Sequence, residues 1–370
     1  MLFICILVYF GVIAFQGFAE TVEYQLASDG DQSQQVPLSR ALVDLNNGLQ
    51  IYQCKRGIFL ISDKDTIISQ SLKLWGAYDD KSLNLLLHLV EPGHIVIDVG
   101  ANIGTFAIPL ASKVSQQSSG RVYAFEAVQL NYQRLVANAA INHLSTSLYA
   151  YQYAMDSEQG RYLEIPMVND QADGNFGNIN LLQSADTLSK LRSKQADVHA
   201  LSERLVTHTL DSFASENLVD ECPRLIKVDV ETMELPVLKG GQELIKRCKP
   251  IVHAENNCVK NSKPLLDFFH LLNYVCYWDV NLLPYPDFSD DVMVSTNILC
   301  LPQDRLFVQK DVSEPAEPAL LHELKTLRVA DNVYTRIEYD RPYLSQYDGF
   351  DGHAQEGSME SCMSSTWSLP

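Results

Sequence analysis

Apolar residues in this chain fall into short runs separated by turn residues, and the runs alternate with stretches of helical spacing. The clearest run is I-V-I-D-V at 95–99, nearly all apolar and β-branched, the pattern of a strand buried on both faces. Gly100 and Gly104 break it, and 105–113 returns to helical spacing. A second run at 122–125 ends in Glu126. Further helices are predicted over 82–90, 128–142, 234–247 and 265–272, and a short one follows Asp211 as its cap. Asp79 or Asp80 caps the helix at 82–90, and Glu91-Pro92-Gly93 ends it. Strands are predicted over 148–154, 161–167, 205–210, 224–230, 250–254, 274–278 and 292–301, with a hairpin around 54–56. Such alternation predicts an α/β fold with a Rossmann-like, doubly wound, mostly parallel sheet and helices on both faces.

The pattern changes at both ends. Residues 1–19 are almost wholly apolar with no polar face. They read as a signal peptide, with Gly17 and Ala19 as the small residues before a cut, or as a short membrane anchor. Either reading sends the chain into the secretory or export pathway, secreted or membrane-anchored. Residues 20–70 are expected to form a polar stalk with the hairpin, 71–302 the main domain, and 303–370 an extension. That extension carries one amphipathic stretch at 317–329 and is expected to be disordered from 347 onward, where Gly, Ser, Asp and Met dominate.

Composition narrows the partners. The chain has 370 residues and a formal net charge of −18, so phosphate backbones repel it and nucleic acid is excluded as a partner. Of eight cysteines none forms a C-x-x-C pair, which argues against a zinc or redox site. Cys276 and Cys300 sit in apolar runs and read as small core residues.

A strand, a glycine turn, a helix and a second strand ending in an acid describe a nucleoside-binding unit. Gly100 permits close backbone approach, Asn102, Gly104 and Thr105 form a tight polar helix start, and Glu126 can accept ribose hydroxyl hydrogen bonds. Asp98 precedes the first glycine. An acid there repels a pyrophosphate but suits a sulfonium, which favours S-adenosylmethionine over a nicotinamide cofactor.

The motifs D-V-G-A-N-I-G-T-F, A-F-E, L-I-K-V-D-V-E-x-x-E-x-x-V-L-K-G and P-I-V-H-A-E resemble those of the FkbM family of S-adenosylmethionine-dependent methyltransferases, in the class I superfamily. The similarity spans 76–302. It implies the class I fold, S-adenosyl-L-methionine as cofactor, backbone contact to adenine near Ala154, and O-methylation of a sugar or other small polar acceptor. It also implies that the segment around Trp75 and Tyr78 closes over the cofactor, against which stands plain packing. One departure is visible: the family usually has glycine after D-V-E, where this chain has Thr232.

A doubly wound sheet gathers its ligand at the carboxyl ends of its strands. Asp98, Glu126, Asp229 and Glu255 should therefore meet along one edge. The base that takes the acceptor proton is sought among Asp229, Glu231, His253 and Glu255; four carboxylates could also hold a divalent metal, but no spacing demands it and none is expected. Two rival classes stand beside the methyltransferase: a non-catalytic binding or trafficking protein that keeps the fold, and an NAD(P)-dependent oxidoreductase.

Overall fold

The computed structural model describes residues 39–117, 119–166, 173–177, 202–284, 292–303 and 366–367. Residues 1–19 and the stretch at 317–329 lie outside the described residues. Among the described residues no helix is long and apolar enough to cross a membrane.

The chain opens with an antiparallel meander, β1 (Arg40–Asp44), β2 (Leu49–Cys54) and β3 (Gly57–Ser62). The hairpin falls where it was expected, and residues 40–44, expected within the polar stalk, pair with β2 instead; residues 20–38 lie outside the described residues. Helices α1 (Ile68–Trp75) and α2 (Asp80–Leu89) follow. Of the two candidate caps, Asp79 is used: it accepts the Ser82 N–H at 3.3 Å.

The main sheet is then laid down. Its strands are β4 (Ile95–Val99), β5 (Arg121–Phe125), β6 (Leu148–Tyr151), β10 (Leu225–Val228), β11 (Ile251–Glu255), β12 (Tyr274–Pro284) and β13 (Val292–Pro302). The order is β12-β13-β11-β10-β4-β5-β6, with β14 (Thr366–Trp367) added to β13. From β6 to β11 all pairings are parallel, and β13 is inserted antiparallel between β11 and β12. The strand β14 falls inside the end expected to be disordered: Thr366 and Trp367 pair with Met293 and Val292.

Alternation along the strands feeds two cores. Val96, Leu225, Ile251 and Leu299 face α1, α2, α3 (Ala107–Val114) and α4 (Gln129–Ile141). Ile97, Ile226, Val252 and Ile298 face α5 (Leu210–Asn217), α6 (Glu234–Lys239), α7 (Gln242–Cys248) and α8 (Val259–Leu271). Helices cover both faces, so the expected doubly wound, mostly parallel α/β sheet is the observed fold.

Several expected elements are divided or re-capped. The strand at 148–154 splits, because β7 (Ala154–Met155) leaves the main sheet to pair with β9 (Ser202–His208), which also pairs with β8 (Tyr162–Pro166). The helix at 234–247 breaks at Gly240 and Gly241. A Cβ on Gly240 would overlap the Asp156 carbonyl, so the two helices part where β7 passes. Asp211 does not cap α5. Thr209 does, while Asp211 accepts the N–H groups of Glu243 and Leu244 at the start of α7, at 3.1 and 2.7 Å. Cys276 and Cys300 are buried as expected, yet they are directly opposed on β12 and β13 and joined as a disulfide. Cys222 and Cys248 form another.

Candidate functional site

The glycine turn is held by the strand beside it. The N–H groups of Gly100 and Ala101 both donate to the Phe125 carbonyl, at 2.9 and 3.0 Å. Gly100, Asn102 and Gly104 all take positive φ, at 78°, 50° and 96°. Asn102 tolerates this better than most side chains because its amide bonds locally: Oδ1 accepts the Ile103 N–H at 2.7 Å. Thr105 is buried next to it.

Glu126 closes the turn from the end of β5. Its carboxylate accepts the N–H of Asn102 at 2.8 Å and of Val128 at 2.9 Å. Each oxygen carries one of these bonds, so each keeps a lone pair. Burial pushes this carboxyl up to about 7, against the pull of the two backbone donors. Ala154 is buried in β7, paired with Thr207.

Four other acids gather across β4, β10 and β11. Register sets Asp98 beside Lys227 and Lys227 beside His253, in one row on one face of the sheet. Asp98 is 0% exposed, and Lys227 Nζ lies 3.5 Å from its Oδ1. The same ammonium is 3.2 Å from Asp229 Oδ2, whose side chain is 39% exposed. Burial pushes the Asp98 carboxyl up and the Lys227 ammonium pulls it back. Asp98 is therefore a lysine partner beneath the surface rather than a group at the mouth.

Carboxylate oxygens of Asp229, Glu231 and Glu255 lie within 4.8 Å of one another. Burial, then the neighbouring acids, pushes Glu231 up to about 8 and Glu255 well above its ordinary value. Glu255 also accepts the Asn257 amide at 2.7 Å. These are oxygen ligands that a hard cation takes; no metal is assigned to them.

The turn carrying Glu231 is strained. Glu231 and Thr232 both have positive φ, at 51° and 84°. Thr232 thus holds the left-handed conformation at the position where the family usually has glycine. Glu234 braces the turn, its Oε1 accepting the N–H groups of Val230 and Thr232, both at 3.1 Å. Glu234 is itself pushed up to about 7, chiefly by burial.

His253 does not reach the mouth with Glu255. It is 2% exposed, and its Nε2 meets Asp279 Oδ2 on β12 at 2.9 Å, so the imidazole donates to a buried carboxylate. Asp79 belongs to the same buried group: burial first, then Asp279, pushes it up to about 6, and it accepts the Ser295 hydroxyl at 3.2 Å.

Sequence reasoning missed Lys227, and the structure adds detail at Tyr78, expected from the family resemblance, and at the loop 173–177. Lys227 was legible as a cation inside the buried run L-I-K-V. Tyr78 is pushed well up by burial and by the charges of Asp229, Asp79, Glu231 and Glu255. The loop 173–177 also reaches the glycine turn. The Phe176 carbonyl accepts the Asn131 amide at 2.9 Å, and a Cβ on Gly177 would come within 3.4 Å of Asn102 Nδ2. This part of the chain packs on the glycine turn.

Residues 98–280 match the methyltransferase FkbM domain family. Among curated proteins none matches the chain significantly. An FkbM methyltransferase structure from Methylobacillus flagellatus KT is 17% identical, covering 57% of this chain and 44% of that one, with a TM-score of 0.34. An S-adenosylmethionine-dependent O-methyltransferase from Thermotoga maritima is 12% identical over 63% of this chain and 66% of its own, with a TM-score of 0.34. TYW2 of M. jannaschii, in complex with AdoMet, is 13% identical over 70% of this chain and 89% of its own, with a TM-score of 0.36. Scores this low leave the functional question to the family match and to the geometry.

Proposed function

Over residues 98–280 the chain belongs to the FkbM methyltransferase family, and we propose that it O-methylates a hydroxyl of a sugar or other small polar acceptor, using S-adenosylmethionine. The family supports S-adenosylmethionine-dependent methylation; the hydroxyl acceptor is the finer reading. The observation that carries it is the acidic trio of Asp229, Glu231 and Glu255, oxygens within 4.8 Å of one another at the carboxyl edge of the sheet.

The residues fit the cofactor by their chemistry. Glu126 keeps a free lone pair on each oxygen for ribose hydroxyls. The edge carries the carboxyl groups of Asp98, Glu126, Asp229, Glu231 and Glu255 against the single ammonium of Lys227, an acidic surrounding that suits a sulfonium and an ammonium. When bound, S-adenosylmethionine supplies a methyl group already activated by the positive sulfur.

The protein's own work is positioning and proton handling. Glu126 and the Gly100 turn hold the nucleoside end. Asp229, half-exposed beside its lysine, takes the proton from the acceptor hydroxyl as that oxygen attacks. General-base help of this kind contributes roughly 10²–10⁴-fold. Glu231 and Glu255, which burial biases toward the protonated form, donate hydrogen bonds to neighbouring hydroxyls of a polyol.

The chain is further proposed to enter an export pathway. The Cys222–Cys248 and Cys276–Cys300 disulfides support that reading, since such bonds persist in oxidising compartments.

The test is calorimetry with S-adenosylmethionine, followed by transfer of a labelled methyl group to a panel of glycans and small polyols. Binding with transfer to a hydroxyl supports the proposal. Binding without transfer to any acceptor favours the non-catalytic reading, which the strained Thr232 keeps in view.

A further inference from the structure

Lys227 is the charged residue that the strand pattern does not call for. It lies inside the buried strand β10, with only 4% of its side chain exposed, so its ammonium must find partners within the fold. It finds two acids. Nζ is 3.5 Å from Asp98 Oδ1 on β4 and 3.2 Å from Asp229 Oδ2 beyond the end of its own strand. The ring of Phe106 lies over the same ammonium, 4.8 Å from Nζ to the ring centre.

The two acids play unlike parts. Asp98 is fully buried, and neither of its oxygens accepts a hydrogen bond among the described residues. It serves as a fixed anchor whose charge needs a cation. Asp229 stands at the mouth with Glu231 and Glu255. Among the described residues Asp229 is the member of the trio within ion-pair distance of Lys227, whose charge reaches Glu231 and Glu255 more weakly than their burial acts on them.

The geometry points to Lys227 as the positioning residue of the transfer site: anchored by buried Asp98, its ammonium fixes the orientation of the Asp229 carboxylate and singles that carboxylate out from its two neighbours. The inference deepens the methyl-transfer reading and rests on it for the identity of the reaction. It makes the three acids inequivalent before any acceptor arrives. One is charge-paired, and the other two lie beside it without an ion pair among the described residues.

The experiment compares wild type, Lys227→Met and Asp98→Leu/Lys227→Met, all without ligand. Lys227→Met strands a buried acid and is expected to melt well below wild type or to fail to fold. The double variant replaces the buried pair with apolar side chains, an exchange that is often neutral or stabilising, and is expected to recover most of the lost melting temperature. Two readouts on the double variant decide. In its crystal structure the Asp229 carboxylate should leave the wild-type position. In a carboxyl-carbon NMR titration the trio should ionise at higher pH, by about one unit. If either readout matches wild type, the proposal is overturned and Lys227 is only the counter-ion of Asp98. Failure of wild type to bind S-adenosylmethionine in calorimetry would instead sink the methyl-transfer reading, and the two readouts on Lys227 would still stand.

Discussion

The backbone of Asp229 fills the space that a side chain on Gly100 would need. A Cβ built on Gly100 overlaps the Asp229 carbonyl oxygen, and the Asp229 N–H donates to the Val99 carbonyl at 3.0 Å. The first glycine of the turn is thus required by the chain's own packing, whatever ligand the turn holds. Gly100→Ala must push β4 and β10 apart at the site and also hold a left-handed alanine. We expect a loss of about 3 kcal/mol or more, from overpacking and backbone strain together. Denaturant unfolding reads it, and a cost under about 0.5 kcal/mol would show that the strands yield easily.

Thr232 gives a prediction of opposite sign. A β-branched residue at φ 84° is strained, and glycine accepts that conformation freely. Relief of about 1–3 kcal/mol, less the entropy that glycine adds to the unfolded chain, leaves Thr232→Gly about 1 kcal/mol more stable. Thermal unfolding checks this, and a lower melting temperature would mean that contacts of the Thr232 side chain outweigh the strain.

Glu126 serves both the turn and the cofactor. In Glu126→Gln one of the two N–H groups, from Asn102 or Val128, loses its acceptor, and any ribose hydrogen bond loses its charge. Each charge-assisted bond is worth about 1.5–3 kcal/mol, so affinity for S-adenosylmethionine should fall at least tenfold. Unchanged affinity in a folded variant would rule out the ribose role.

Asp229→Asn keeps the side-chain shape and the backbone contact with Gly100. We expect it to fold, to bind S-adenosylmethionine within a few-fold of wild type, and to lose methyl transfer by roughly 10²–10⁴-fold. Full turnover on the true acceptor would move the base assignment to Glu231 or Glu255.

Burial raises the carboxyls of Glu126 and Glu234 to about 7 and that of Glu231 to about 8, from an unfolded value of 4.5. A carboxyl raised in the folded state binds its proton more tightly there. Its stabilising contribution is complete below the unfolded value and is lost as pH climbs through the folded one. The ligand-free protein should therefore melt at progressively lower temperature from about pH 5 to pH 8.5. A net-cationic ligand relieves the ionised acids, so the increment from S-adenosylmethionine should grow over the same window. A flat melting profile would show these carboxyls ionising as freely folded as unfolded.

The fold was legible in the sequence because its elements are local. Doubly buried strands such as Ile95–Val99 are apolar at nearly every position, and glycine, proline and acidic caps punctuate them. That pattern, with the parallel-sheet rule that sites form at strand ends, was enough to bring Asp229 and Glu255 to one edge. Local pattern could not tell that 234–247 is two helices, because the break at Gly240 answers to the Asp156 carbonyl from a distant turn. Nor could it tell that Asp211 caps α7 rather than its own helix, or that Cys276 faces Cys300. The site divides the same way. Residue types and order marked Glu126 and Asp229 as candidates. Register of β4 with β10 decided that Asp98 would meet Lys227, and the packing of β13 and β12 beside β11 brought Asp279 to His253, because neighbours in a sheet are set by strand pairing, which sequence distance does not record.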